Sequence, residues 1–379
     1  MRVILQLLST ICNSYPDLFD RAGKNRHNAD MKDFDAIPSL DKHKIFDSID
    51  AQPAHLRLNF ADSMTEDVSL GWGEGIENIL LTGMGGSALA ADIARNWLSS
   101  RLAVPFDISR NYDLPNYVGP RTLVIVSSYS GNTEETLSAL SDAEKRRARI
   151  VVMTAGGQLL DLAREKGYLT LQLPQVSQPR LSVLAGLKAL ACLLSDAGFI
   201  GEMDVRRELI DVGDWLEVEK SRLNLDNQEI DNPAMQLARH LHGKPVVVYA
   251  GPALKSAAYK WKIDINENAK QLAFCNLYPE LNHNEYQGWL FPQAKDLATL
   301  QIESSLEHDR VQKRFLITRE ILKDHGYEPM VVHAEGKTLI QQILWTVLLG
   351  DYVSAYMGIL NGIDPTPVDL VEELKKKLG

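Results

Sequence analysis

The sequence is poor in cysteine: Cys12, Cys192 and Cys275 are the only three among 379 residues, and they stand far apart. Three thiols cannot all pair, and none has Cys-x-x-Cys or other metal-ligand spacing. A disulfide scaffold is therefore excluded, and a reduced, intracellular setting fits best. Positive charge is also in short supply, with 40 Lys and Arg against 50 Asp and Glu and a net charge of −10. No global basic field draws nucleic acid or an acidic membrane, although a small anion can still meet a locally positive pocket. No run approaches the roughly 20 apolar residues that span a bilayer. The start, Met1 to Cys12, has Arg2 ahead of an apolar stretch, but Gln6, Ser9 and Thr10 dilute it and no small-x-small cleavage site follows. Ordinary helical patterning begins after Met31, so the native protein is expected to start near there, with residues 1–40 an N-terminal extension.

What is present is an average globular composition, 45% hydrophobic and 24% charged, at a length that suits two domains. From Asp41 to Leu70 the spacing of Ile45, Ile49, Leu56 and Leu58 reads as mostly helical. The pattern then changes to strand, glycine turn, helix. Asn78 to Thr82 is a short apolar run that stops at Gly83, and small helix-forming residues follow from Ser87 to Ala94. The unit recurs at Thr122 to Ser128, an unbroken run suited to a parallel strand buried on both faces, and again at Ala148 to Thr154. Leu181 to Leu194 is a long apolar helix, and Glu202 to Asp231 reads as helix and connector. Lys244 to Gly251 restarts the strand-and-glycine pattern, followed by a helix over Ala253 to Ala273. These alternations imply an α/β protein with doubly wound, mainly parallel sheets. A first domain over 41–200 and a second over 201–379 follow, the second a distorted repeat of the first.

Two loops carry the chemistry of the first half. Gly83-Met84-Gly85-Gly86-Ser87 leaves a strand and opens a helix, where backbone amides meet an anion at the positive end of the helix dipole. It departs from the strict dinucleotide pattern at Ala88, although the relaxed form admits alanine and Asp107 lies about 20 residues on, so a nucleotide remains a rival ligand. A P-loop is excluded, since no Gly-Lys-Ser or Gly-Lys-Thr follows. Ser127-Ser128-Tyr129-Ser130-Gly131-Asn132-Thr133-Glu134-Glu135-Thr136 is richer. Its several hydroxyls, gathered where a strand ends, suit the oxygens of a phosphomonoester bound without metal. Capping of the next helix by Ser130 or Thr133 is the plainer explanation, and it would need one hydroxyl only.

These two loops, with Pro179-Arg180, Asn266-Glu267-Asn268-Ala269-Lys270, Pro279-Glu280-Leu281-Asn282-His283-Asn284-Glu285 and a Lys-rich C-terminal segment, resemble the sugar isomerase (SIS) domain superfamily. More narrowly they resemble the bifunctional phosphoglucose/phosphomannose isomerase family, over nearly everything from Met31 to Gly379. The resemblance implies two SIS domains, each a flavodoxin-like sandwich, in a homodimer with shared active sites. It implies an aldose-ketose isomerase of hexose 6-phosphates that works through a cis-enediolate with no metal and no cofactor. The phosphate would be held by Ser87, Ser128, Ser130 and Thr133, with Gly86 in the same cradle. Glu267 would be the base, His283 the ring-opening residue reaching the partner's site, and Arg180 a cation near the enediolate oxygens. Lys375 is the favoured residue of the run Lys375 to Lys377, and Thr366 a weaker sugar contact that helps accept both carbon-2 epimers.

Each role has a plainer competitor. Glu267 lies in a helix with Lys262, Lys270 and Asp264 nearby and would ordinarily belong to a solvated face, with Glu280 and Glu285 as rival bases in the same neighbourhood. Arg180 would form a surface ion pair, and Lys375 a solvated helix end. Two other functions stay open on the sequence: a different SIS-type amino-sugar isomerase or deaminase, and a sugar-phosphate-binding regulator. An N-terminal segment that is short and not basic speaks against the regulator.

Overall fold

The computed structural model describes residues 33–60, 68, 72–176, 178–201, 204–290 and 296–378. The apolar start, Met31 and part of the stretch read as helical before Leu70 lie outside them. Two parallel sheets form the frame. The first contains β1 (Asn78–Thr82), β2 (Phe106–Ser109), β3 (Thr122–Ser127), β4 (Arg149–Thr154) and β5 (Leu169–Gln172), in the order β2-β1-β3-β4-β5. The second contains β6 (Val246–Ala250), β7 (Ala273–Leu277), β8 (Ala298–Glu303) and β9 (Met330–His333), in the order β7-β6-β8-β9. Taking β6 as the counterpart of β1, the four strands of the second sheet repeat the order of the first four. Both sheets are thus flavodoxin-like, doubly wound units.

The apolar runs have a two-sided destination. In the first sheet Ile79, Leu81, Leu123, Ile125, Val151 and Met153 face the inner core, whereas Leu80, Val124, Val126 and Val152 face a separate outer cluster. The second sheet does the same, with Val246, Val248, Leu300 and Ile302 turned inward and Val247 and Tyr249 outward. Alternate side chains of a strand point to opposite faces, so burying both faces requires every position to be apolar.

Among the described residues ten longer helices accompany these sheets. Those of the first half are α1 (Gly85–Leu98), α2 (Glu134–Lys145), α3 (Gly157–Lys166) and α4 (Val183–Asp196). The others are α5 (Val205–Glu219), α6 (Pro233–Leu241), α7 (Lys255–Asn268), α8 (Asp309–Asp324), α9 (Leu339–Leu360) and α10 (Asp369–Leu378). Helices α1, α4, α7 and α9 contribute to the inner core that both sheets share, and α2 and α3 cover the outer face of the first. Before Leu70 the described helical pieces are short, among them Ile45–Asp50 and Gln52–His55. The helix expected over Ala253 to Ala273 stops at Asn268, because Lys270 takes a left-handed conformation, φ 51°, and Ala273 opens β7.

One expectation needs correction. Helix α9, with 22 residues, is long and apolar enough to cross a membrane by length and composition. Nearly all of it is buried in the shared core, where it holds the fully buried carboxylate of Asp351. Its apolarity on all sides comes from being surrounded by protein. One stripe of it is small: Gly350, Ser354 and Gly358 follow at helical spacing along the side that meets α7. A β-carbon at Gly350 would lie 2.4 Å from Nε1 of Trp261, whose indole donates to the Thr346 carbonyl at 2.7 Å. Gly350→Ala is therefore expected to destabilise the fold by about 1–3 kcal/mol through overpacking, read from urea unfolding.

Candidate active site

The strand order of the first sheet reverses between β1 and β3, and the loops leaving their carboxyl ends face the crevice in which such sheets bind ligands. Glycines bring the loops together. A β-carbon at Gly83 would lie 2.6 Å from the Ser127 carbonyl, and one at Gly86 2.8 Å from that of Pro179. Gly131, at φ 71°, stands so close to Gly156 that a β-carbon would meet its carbonyl at 1.8 Å. The hydroxyls are each held by bonds to or within the loop that follows β3. Ser87 Oγ accepts from the Tyr129 amide at 2.9 Å, and Ser128 Oγ accepts from the Gly131 amide at 3.1 Å. Ser128 and Thr133 share a hydrogen bond of 2.8 Å, and Ser130 Oγ accepts from the Asn132 amide at 3.3 Å. Thr133 occupies the N-cap position of α2 yet makes no capping bond with its side chain, and α1 also starts without a side-chain cap. Simple capping does not account for these hydroxyls.

Gly86 connects this cradle to Arg180, which lies in the short turn Pro179–Leu181 and is 2% exposed. Arg180 Nε donates to Asn268 Oδ1 at 2.6 Å. Nη1 donates to Gln178 Oε1 at 3.1 Å and to Glu267 Oε2 at 3.2 Å. Nη2 donates to the carbonyls of Pro365, at 3.2 Å, and Thr366, at 2.9 Å. A guanidinium has five N–H groups, and these five bonds engage them all. The resemblance implied a cation near the enediolate oxygens, and all five donors of this cation are turned to protein. The side chain of Glu267 is 33% exposed, and its Oε1 has no hydrogen-bond partner among the described residues. Thr366 is buried beside this group with its hydroxyl unpaired.

Beneath Arg180 lies a cluster that sequence reasoning missed. Lys260 Nζ, fully buried, donates to both oxygens of Asp264, at 2.8 and 2.7 Å, and to Asp351 Oδ1 at 2.6 Å. Asp351 Oδ2 accepts from Gln52 at 2.9 Å. Burial alone would push the lysine pKa down, but the two carboxylates overcome it and the net direction is up. Burial pushes Asp264 well up, partly offset by Lys260. For Arg180 burial lowers the pKa, with Glu267, Asp264 and Asp351 opposing it. The i, i+4 spacing of Lys260 and Asp264 was a helical ion-pair signal, but nothing local showed that it faced the core.

Lys270 showed in the sequence only as a charge near Glu267. Its ammonium donates to the carbonyls of Pro365 at 2.8 Å and Asp364 at 3.2 Å. Desolvation there, with the charge of Arg180 close by, pushes its pKa down to about 8.

The remaining expected residues lie elsewhere. His283 ends the short turn Glu280–His283 and is exposed, its ring making no hydrogen bond with the described residues. Glu285 is bonded to Tyr249 and Asn276, and Glu280 accepts from Asn284 at 2.8 Å. Neither rival base contacts Arg180. Lys375 is exposed on α10 and pairs with Glu372 at 2.7 Å. Asp107, the residue a dinucleotide would need, is bonded to Arg95 and Tyr117.

Two flavodoxin-like sheets with a hydroxyl-rich cradle at the first switch point define a protein of the SIS class. Residues 75–178 match the family model of the SIS domain, and residues 230–378 match that of the bacterial phospho-glucose isomerase C-terminal SIS domain. A bifunctional phosphoglucose/phosphomannose isomerase of Aquifex aeolicus is 34% identical over 304 residues, 80% of this chain and 90% of the relative. One from Caldicellulosiruptor bescii is 34% identical over 310 residues, 81% of this chain and 91% of the relative. In fold alone, the C-terminal domain of glucosamine-fructose-6-phosphate aminotransferase from Francisella tularensis is similar, with a TM-score of 0.63 at 15% identity, covering 86% of this chain and 98% of that one. The chain belongs to the bifunctional phosphoglucose/phosphomannose isomerase family.

Two outcomes test the electrostatics. Lys260→Met leaves two buried carboxylates without their cation and is expected to cost about 3–5 kcal/mol in urea unfolding, with Asp351→Asn recovering part of the loss. Lys270 releases its proton at a lower pH when folded than when unfolded, so the unfolded chain binds more protons between about pH 8 and its usual 10.5. Its contribution to stability is expected to rise with pH across that window, a trend that Lys270→Met abolishes in unfolding measured at each pH.

Proposed function

We propose that the chain is an aldose-ketose isomerase that interconverts glucose 6-phosphate and fructose 6-phosphate, and mannose 6-phosphate and fructose 6-phosphate. The observation that carries this reading is the shared turn at Pro179-Arg180. One side packs on Gly86 of the hydroxyl cradle, and the other holds Glu267 through the Arg180 guanidinium. In this reading Ser87, Ser128, Ser130 and Thr133 receive the phosphate. Glu267 takes the carbon-2 proton and returns it at carbon 1, its Oε1 left for the task while Oε2 is held. The positive charge of Arg180 keeps that carboxylate ionised and in place, and favours the negative charge that develops on the enediolate. Thr366, whose buried hydroxyl is unpaired beside this group, is the sugar contact in the same reading.

The same reading assigns ring opening to His283 and a sugar contact to Lys375, both contributed within a homodimer. Support for a second copy comes from the exposure of His283 and from the uncovered apolar face of α10, where Leu370, Val371, Leu374 and Leu378 are all exposed. Two domains, 41–200 and 201–379, each built on one sheet, and a cytoplasmic setting belong to it as well. The described cysteines, Cys192 and Cys275, are free thiols, as a reducing compartment requires.

Coupled assays with glucose 6-phosphate, mannose 6-phosphate and fructose 6-phosphate test the proposal, and activity with none of them would overturn it. Glu267→Gln keeps the shape and removes the base, and is expected to lower kcat by roughly 10²–10⁴ in either direction. A loss of less than about tenfold would move the base to another residue.

A further inference from the structure

Asn268 sits at the carboxyl end of α7, fully buried, next in sequence to Glu267. Its amide is held from both sides. Ser354 Oγ donates its single proton to the carbonyl of Asp351 at 3.0 Å, so toward Asn268 it can only accept, and Asn268 Nδ2 donates to it at 2.8 Å. That fixes the amide orientation, leaving Oδ1 to accept from Arg180 Nε at 2.6 Å. Asp351 is held in turn by Lys260 and Gln52. Gly358 gives the Asn268 backbone room, since a β-carbon there would lie 2.7 Å from the Asn268 carbonyl.

We propose that Asn268 is a positioning residue for the Glu267 carboxylate, acting through Arg180, and that Ser354 sets the direction in which the Asn268 amide faces. The Nε bond fixes the plane of the guanidinium, and the plane decides where Nη1 meets Glu267 Oε2. An aspartate at 268 would accept from Arg180 but would leave Ser354 without a donor and add a buried charge. A leucine would leave Nε unpaired. Ser354 is the carrier of the constraint, because an alanine there removes the acceptor that holds Nδ2 and lets the amide plane tilt away from Arg180 Nε. The proposal rests on the isomerase reading for its kinetic consequences and on geometry alone for the Arg180 contact.

The test combines kinetics with a readout independent of activity. Asn268→Leu is expected to lower kcat by about 10- to 100-fold with KM for glucose 6-phosphate within about threefold, since the phosphate cradle lies on the other sheet. Ser354→Ala is expected to lower kcat by about 3- to 10-fold, and Ser354→Thr, which keeps the hydroxyl, to restore most of it. In the Asn268→Leu background Ser354→Ala should have no further effect, because the two residues act in series. In 15N spectra the Arg180 Nε–H, assigned by its disappearance in Arg180→Lys, is expected to exchange slowly in the native chain and faster in both variants. Unchanged kcat in Asn268→Leu, loss confined to KM, additive effects in the double variant, or unaltered Nε–H exchange would each overturn the proposal. If Asn268→Leu does not fold, the Ser354 pair decides. A native chain inactive on all three sugars would overturn the isomerase reading, while the Nε–H exchange would still decide the positioning role.

Discussion

The arrangement of this molecule depends on the burial of one guanidinium. An arginine taken out of water must have every N–H met and its charge balanced. Arg180 meets both demands by drawing acceptors from three separate stretches of chain: Gln178, the end of α7, and the Pro365-Thr366 segment. The first belongs to the half of the chain that builds the first sheet, and the others to the half that builds the second. Satisfying one side chain therefore ties the two halves at a single point, which is also where Glu267 emerges.

The packing around that point follows from it. Helices α7 and α9 must approach closely for Asn268 to reach Ser354, and the stripe of Gly350, Ser354 and Gly358 permits it. The cluster of Lys260, Asp264 and Asp351 sits within the same pair of helices and keeps further negative charge near the arginine. The two sheets share a strand order but use their switch points differently. After β1 the glycine turn faces a hydroxyl cradle. After β6 the corresponding turn is filled by the chain's own carboxylate: Glu307, buried, accepts from the Ala253 amide at 2.7 Å, and a β-carbon at Gly251 would collide with it. The repeat has kept its topology while one site accepts an external anion in the proposed reading and the other is closed internally.

Much of the frame was legible from the residues. The runs Asn78 to Thr82, Thr122 to Ser127 and Val246 to Ala250 are central strands buried on both faces, so their apolarity is continuous and unambiguous. The edge strands β2, β5, β7 and β9 escaped notice, because a short strand with one exposed side carries mixed residues such as Asp107, Gln172 and Phe274, and central β8 escaped it too, its apolar run broken by Thr299 and Gln301. The cradle was visible because its glycines and hydroxyls are contiguous. Glu267 and Arg180 entered through motif resemblance, whereas Asn268 and Lys270 lay in the same motif without an assigned role and the i, i+4 pair of Lys260 and Asp264 gave no sign of burial, since a charged or amide side chain on a helix reads as solvated until its neighbours are known.

By itself, then, the sequence determined what is local: the period of apolar residues that makes strands and helices, the glycines that make turns, and the hydroxyls that crowd one loop. Tertiary structure alone decided which charges are buried, which way the Asn268 amide faces, and that the proposed base Glu267 and the hydroxyl loops more than 130 residues before it pack on one turn. The reason is physical. Backbone preference and amphipathic period act over a few residues, whereas desolvation and hydrogen-bond satisfaction depend on whatever the chain brings alongside from far away.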